Sequence, residues 1–554
     1  MKYFFQVISF CLVLSSVSAQ ENSPSKFDPE KDLMATPKLV VGVVVDQMRY
    51  DYITRFWNRF GNDGFKKLVS EGFNLRNNHF NYIPTYTGPG HASVYTGSAP
   101  QTHGIIGNDW YNKFQNEMVY CVGDPSVQSV GTKDDAGEMS PHRLLTTTVA
   151  DENRIHTQLR GKTIGVAIKD RGAVLPAGHT ANAAYWFHGQ NEGVWISSSF
   201  YLEDLPQWVK EFNAEGHAEK YLKPWTTLED VNSYVESGTD INNFEGGYSG
   251  KKDTGFPYDL KKLSKENGGY DILKSTPYGN SLTLDFALAA VDGEQLGQDE
   301  FTDFLTLSFS SPDYIGHNFG VNSKEIQDNY LRLDRDLARL LKELDAKVGA
   351  GNYTLFLTSD HGGVHVPAYL ESLKVPSGYF ETSNFRKELN SFVSEKFGAE
   401  DLIENISNGQ IFFNYDAVAK NGILREELQR EIAHYLLQYD LINQVYTREQ
   451  LEGTAFNEGM ASLIDHGFHQ KRSGDVTYLL NPSVISYSGT GSTHGSGQNY
   501  DTHAPLIFYG RGIKSGSSME RTEIVDIAPT ISALLGIPFP NGSTGRPLEM
   551  VLEK

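Results

Sequence analysis

Lys38-Leu-Val-Val-Gly-Val-Val-Val-Asp46 (KLVVGVVVD) is a continuous, mostly β-branched run that ends in a carboxylate. A half-buried strand would alternate apolar and polar residues. This one does not, so it reads as a strand covered on both faces, the situation of an inner strand in a parallel sheet. Similar apolar runs ending in polar residues recur at Thr163–Lys169, at Phe304–Ser308 ahead of Asp313, at Tyr353–Thr358 ahead of Asp360-His361, and at Ala504–Tyr509. Helical patterns separate them, notably Ile326–Val348 and Arg425–Tyr439, with apolar residues at helical spacing and charges outward. Strands alternating with helices predict an α/β fold with a mostly parallel central sheet flanked by helices. Residues from about 180 to 275 break this rhythm. They are rich in Gly, Asn, Tyr, Trp and Asp, and they read as a cap or insertion on the α/β core.

The first residues carry Lys2, an apolar run from Phe4 to Leu14, and small residues at Val17-Ser18-Ala19. This is the layout of a cleaved secretory signal peptide over residues 1–19, which leaves 20–554 as the α/β domain and implies a periplasmic or secreted protein. Cys11 lies in the leader, so Cys121 is the one cysteine of the remainder and no disulfide framework is expected. The formal charge of −21 becomes −22 when Lys2 leaves with the leader. So acidic a chain disfavours nucleic acid and anionic membrane as bulk partners, and no later stretch approaches the length of a membrane span. An anionic substrate would need a local positive site. A monomer satisfies the sequence.

In open α/β sheets, ligands collect at the carboxyl ends of the strands. Here those ends carry Asp46, Asp313, Asp360 and His361, with His317 four residues beyond Asp313. Any one of them alone reads as a turn or cap residue. Together they make a carboxylate and imidazole set without thiolate, which suits a catalytic zinc pair better than a structural zinc. The second feature is Thr85–Gly97, TYTGPGHASVYTG. Gly88-Pro89-Gly90 makes a turn, Pro89 can begin a helix, and Thr87 would sit at its N-terminus where free N–H groups favour an anion. An ordinary threonine cap is the competing reading.

These residues carry a resemblance. Asp46, Thr87 in TYTGPGH, Asn108 in GIIGNDWY, Asp313 and His317 in PDYIGHNFG, Asp360-His361 in TSDHGG, and His494 in THGSGQNYDTHAP match the alkaline phosphatase superfamily in order and spacing. Lys169 and Arg171 in AIKDRG are similar to the paired basic residues of its phosphate-irrepressible (PafA-type) members, and the resemblance covers nearly the whole mature chain. It implies a three-layer sandwich and two zinc ions. One would be held by Asp313, His317 and His494; the other by Asp46, Asp360 and His361, with the Thr87 oxygen. His503 is a nearby rival to His494; the eleven-residue step from His494 to Pro505 resembles the spacing in the related nucleotide phosphodiesterases, and that resemblance favours His494. The resemblance makes Thr87 the nucleophile that forms a phosphothreonine, and Asn108, Lys169 and Arg171 the groups that hold the phosphoryl oxygens. Lys169 and Arg171, two apart, would share a strand face or reach together from a loop.

The implied activity is hydrolysis of small-molecule phosphate monoesters. A phosphodiesterase or nucleotide pyrophosphatase of the same superfamily would share the zinc ligands, but a diester offers one less charge for Lys169 and Arg171 to neutralise. A sulfatase would need a Cys or Ser where Thr87 stands. A non-catalytic phosphate-binding protein would not need the full set.

Overall fold

The computed structural model describes residues 36–190 and 192–553. The signal peptide expected over 1–19 lies outside the described residues.

A twisted central sheet is built from β1 (Leu39–Val45), β2 (Phe73–His79), β3 (Thr163–Ala167), β4 (Ala183–His188), β5 (Val194–Ser198), β6 (Asp303–Phe309) and β7 (Tyr353–Thr358), together with a C-terminal strand, His503–Gly510. The order is β2, His503–Gly510, β7, β1, β6, β3, β4, β5, with short edge strands beyond. The five inner strands β7, β1, β6, β3 and β4 are parallel. Antiparallel pairings flank them on both sides. β1 sits between β7 and β6, with Val44 opposite Thr358 on one side and Ser308 on the other. Every residue of β1 is buried, as its unbroken apolar run predicts.

Its side chains divide by parity. Leu39, Val41, Val43 and Val45 enter one core, and Val40 and Val44 the other. Eight helices serve to place the layers and the site: α1 (Thr87–Thr96), α2 (Asp170–Ala177), α3 (Pro277–Gly293), α4 (Ser311–Phe319), α5 (Lys324–Leu344), α6 (Thr382–Phe397), α7 (Arg425–Leu436) and α8 (Ile527–Leu535). The first core is closed by Phe286 of α3 and Leu333, Leu337 and Leu340 of α5. The second is closed by Val94 and Tyr95 of α1 and Ile527 and Ile531 of α8. Gly42 marks where α1 comes closest: the Tyr95 hydroxyl donates to the Gly42 carbonyl at 3.2 Å, and a Cβ there would lie 2.1 Å from that hydroxyl.

The tract expected as a cap from about 180 to 275 is corrected at its start. β4 and β5 are strands of the central sheet, with Tyr185 and Phe187 in its first core. The excursion begins after Ser198, where short helices and turns pack Trp225 and Tyr258 into the core that α5 closes. A second substructure escaped sequence reading. A four-stranded antiparallel sheet spans Ile403–Ser407, Gln410–Phe413, Ile442–Thr447 and Val476–Leu480, and α6 and α7 share a hydrophobic core with it.

Candidate active site

Level strand ends bring the chemistry together. Asp46 follows β1, Asp360-His361 follow β7, Asp313 stands in the first turn of α4 after β6, and Lys169 stands where β3 turns into α2. Lys169 Nζ lies 2.6 Å from Asp46 Oδ2, 2.6 Å from Asp313 Oδ2 and 3.3 Å from Thr87 Oγ1. His361 Nε2 lies 3.4 Å from Thr87 Oγ1 and 3.5 Å from both Asp46 Oδ1 and Asp360 Oδ2. Around Asp313 Oδ1 stand His317 Nε2 at 3.2 Å and His494 Nε2 at 3.6 Å.

Two overlapping groups have the spacing of cation ligands: Asp46 with Asp360 and His361, and Asp313 with His361 and His494. The first is the trio named from sequence. In the second, His361 takes the place expected for His317, which stays against Asp313 with its ring centroid 5.2 Å from that of His494. His503 stands apart, stacked on Tyr50 and His79 and hydrogen-bonded to the Arg76 carbonyl.

The donor set fits divalent metal. His317, His361 and His494 each turn Nδ1 to a backbone carbonyl, at Ser492 (2.7 Å), Gly362 (2.9 Å) and Thr85 (2.8 Å). That leaves each Nε2 facing inward, as metal-ligating histidines require. Asp46 Oδ1 and Asp360 Oδ2 are buried without a hydrogen-bond partner. Three carboxylates against one ammonium leave negative charge in excess. Burial, then Asp313 and Asp360, pushes Asp46 well above the carboxylate range. Burial likewise lifts Asp360 to about 7. Although burial opposes it, His317 and Lys169 hold Asp313 well below that range. Burial keeps His494 neutral, with its pKa down to about 3. A buried cation offsets this charge where protein groups alone do not.

Thr87 is the first residue of α1, not its cap, and the competing reading of an ordinary threonine cap does not hold. Tyr86 occupies the cap position, and the Thr87 hydroxyl faces Lys169 and His361. The helix N-terminus is less open to an anion than the sequence implied, because Asn108 Oδ1 accepts the Gly88 N–H at 2.7 Å. Asn108 Nδ2 has no hydrogen-bond partner among the described residues. Lys169 and Arg171 do not lie on a strand, since β3 ends at Ala167. They flank the start of α2, and Arg171 donates to the Tyr120 hydroxyl at 3.0 Å.

One contributor was not anticipated. Gln47 donates from its backbone to Asp360 Oδ1 at 3.1 Å and from Nε2 to Asp313 Oδ1 at 2.7 Å, tying a carboxylate of each candidate metal group to the other. It does so in the left-handed region, at φ 60°, a strained conformation that persists where surroundings enforce it. The residue's only sequence signal is its place directly after Asp46.

The model of the type I phosphodiesterase / nucleotide pyrophosphatase family matches residues 40–504. A Myroides odoratus protein named calcium-transporting ATPase is 46% identical over 94% of this chain and 95% of its own; among the described residues here, no helix is long and apolar enough to cross a membrane. The alkaline phosphatase PafA of Elizabethkingia meningoseptica is 42% identical over 93% of this chain and 94% of its own. Crystal structures of PafA, wild type and a form substituted at a threonine, an asparagine, a lysine and an arginine, each match with a TM-score of 0.90 at 42% and 41% identity. Both cover 94% of this chain and 99% of theirs. The α/β fold is therefore alkaline-phosphatase-like, and the chain belongs to the type I phosphodiesterase / nucleotide pyrophosphatase family of the alkaline phosphatase superfamily, among the PafA-type enzymes.

Proposed function

We propose that the protein is an exported, zinc-dependent alkaline phosphatase that hydrolyses phosphate monoesters with Thr87 as nucleophile. The observation that carries this reading is the Thr87 hydroxyl, held 3.4 Å from His361 Nε2 and 3.3 Å from Lys169 Nζ among buried Asp46, Asp360 and Asp313. Asp46, Asp360 and His361 would hold one zinc ion; Asp313, His317 and His494 would hold the other. Bound there, the pair would lower the pKa of a hydroxyl or water and offset phosphoryl charge.

The chain's own groups do the rest. Thr87 Oγ1 attacks phosphorus, the ester P–O bond breaks, and the alcohol leaves while the phosphoryl group stays on Thr87. Water then displaces Thr87 Oγ1, which recovers its proton as inorganic phosphate departs. Phosphoryl transfer depends on positioning and electrostatics. Asn108 Nδ2 donates to a non-bridging oxygen, and Arg171 and Lys169 face the charge that a monoester dianion carries and a diester lacks. Residues of the four types substituted in the PafA variant occur here, in the same order, as Thr87, Asn108, Lys169 and Arg171.

The family also contains diester enzymes, so the decisive measurement is the rate on p-nitrophenyl phosphate against bis-p-nitrophenyl phosphate. A faster diester rate overturns the monoester reading. Full turnover in Thr87→Ala removes Thr87 from its role, and activity that survives chelation without restoration by zinc removes the metal. Export is tested by the N-terminal sequence of protein recovered outside the cytoplasm; an intact Met1 there argues against a cleaved leader.

A further inference from the structure

The side chains expected to hold metal are not equally shut off from solvent. Asp46, Asp360 and His361 are fully buried, and Asp313 and His494 nearly so. His317 differs, with 26% of its side chain exposed. Thr87 lies buried at the floor of the site. Phosphoryl transfer puts the departing oxygen roughly in line with the attacking one, so an ester attacked from that floor points its alcohol outward. Asn108 and Arg171, also half-buried, are given to the phosphoryl oxygens. That leaves His317 to border the path of the alcohol.

Tyr487 stands beside that histidine. Its ring centroid is 5.5 Å from that of His317, with the planes 31° apart, and its hydroxyl makes a long hydrogen bond of 3.4 Å to the His317 carbonyl. The residue is nevertheless 40% exposed. A lone aromatic on a surface needs no explanation; what sets this one apart is how firmly its loop is held. Ser486 Oγ lies 2.8 Å from Thr382 Oγ1, the Tyr379 hydroxyl donates to the Gly489 carbonyl at 3.1 Å, and the Gly491 N–H donates to the Phe244 carbonyl at 2.8 Å. The Ser492 N–H donates to the His317 carbonyl at 3.2 Å, and His317 Nδ1 donates in return to the Ser492 carbonyl at 2.7 Å. A Cβ at Gly491 would lie 1.9 Å from the His317 carbonyl oxygen, so loop and α4 meet backbone to backbone. Tyr487 is thereby fixed relative to the metal ligands.

We propose that Tyr487 forms a subsite for the alcohol portion of the substrate, and that through it the enzyme favours monoesters of flat aromatic alcohols over those of small aliphatic ones. This rests on the monoester reading above. The aryl group packs on the phenol ring beside His317 while the phosphoryl group is held at Thr87, Asn108, Lys169 and Arg171. A ring already fixed by its loop loses little freedom when a ligand lands on it, so more of the contact appears as affinity.

The probes are 2-naphthyl phosphate and methyl phosphate, given to the zinc-loaded protein. In Tyr487→Ala the ratio of kcat/KM for the naphthyl ester to that for the methyl ester should fall about 3- to 10-fold, the usual worth of an aromatic pair. Tyr487→Phe, which keeps the ring, should hold the wild-type ratio. An unchanged ratio in Tyr487→Ala overturns the subsite, and so does an equal fall in Tyr487→Phe, which would assign the effect to the hydroxyl's hold on His317. Failure of the wild type to hydrolyse either ester would strike the phosphatase reading itself, and the subsite with it. Should Tyr487→Ala not fold or not retain zinc, the crystal structure of the wild type with 2-naphthylphosphonate decides: a naphthyl ring against Tyr487 supports the subsite, and a ring placed elsewhere sinks it.

Discussion

The carboxamide oxygen of Asn108 accepts the Gly88 N–H at 2.7 Å, and this bond fixes which end of the Asn108 amide is held by the start of α1. With Oδ1 committed to the helix, only Nδ2 is left to donate. Asn108→Asp keeps the anchor but replaces the donor with negative charge, so it should lower kcat/KM on a phosphate monoester at least as much as Asn108→Ala. A lost donor of this kind costs roughly 100- to 1,000-fold. Steady-state kinetics of both variants check the order; a near-wild-type Asn108→Asp would show that Nδ2 does not contact the phosphoryl group.

Arg171 should separate monoester from diester cleavage. It projects from the first turn of α2 and is steadied by the Tyr120 hydroxyl. A hydrogen bond to a charged group contributes about 1.5–3 kcal/mol, or roughly 10- to 100-fold in rate. Arg171→Ala should therefore lose about that much kcat/KM on a monoester and distinctly less on a diester. Equal losses on both substrates would argue that Arg171 supports the fold rather than the dianion.

Gly90 lies where α1 passes the loop after β7, and a Cβ there would stand 2.3 Å from the Asp360 carbonyl oxygen. Because the obstacle is backbone, it cannot swing aside. Gly90→Ala should cost about 1–3 kcal/mol of stability, the usual range for overpacking, and should shift Thr87 relative to Asp360. Zinc affinity and kcat would fall together, as metal titration and thermal unfolding would record. Wild-type values in both would mean that α1 can move without consequence.

His103 should make the protein acid-sensitive. It is fully buried, with Nε2 3.0 Å from Ser93 Oγ and Nδ1 accepting the Ile105 N–H at 3.1 Å. Burial, then Arg472, lowers its pKa to about 3. The unfolded chain takes up a proton near pH 6.5 while the folded one does not, so stability is lost as pH falls from about 6.5 toward 3, by about 1.4 kcal/mol per unit. His103→Asn keeps an acceptor for Ile105 without titrating. Its Tm should decline less than that of wild type between pH 6.5 and 5; parallel curves would contradict the assignment.

Much of this was legible before any coordinates. β1 announced itself because seven consecutive buried residues leave no polar face, and Asp46, Asp313, Asp360 and His361 stood out as candidate ligands because each lies just beyond an apolar run, whereas His494 was named only by the family resemblance. Gln47 was illegible because its role depends on a left-handed turn that one glutamine does not signal. β4 was misassigned because its neighbours are rich in Gly and Asn, although AAYWFH alone is strand-like. The strand Ile403–Ser407 was hidden by its partly exposed sequence, IENIS, and by partners as distant as Val476–Leu480.

The even alignment of β1, β3, β6 and β7 at their carboxyl ends sets a rule for how this molecule can diverge. Adding one residue inside β1 would carry Asp46 about 3.3 Å outward and turn it to the opposite face, dismantling the ligand group at a stroke. Connecting segments that carry none of the candidate site residues can, by contrast, change length without moving the strand tips that hold Asp46, Asp313 and Asp360.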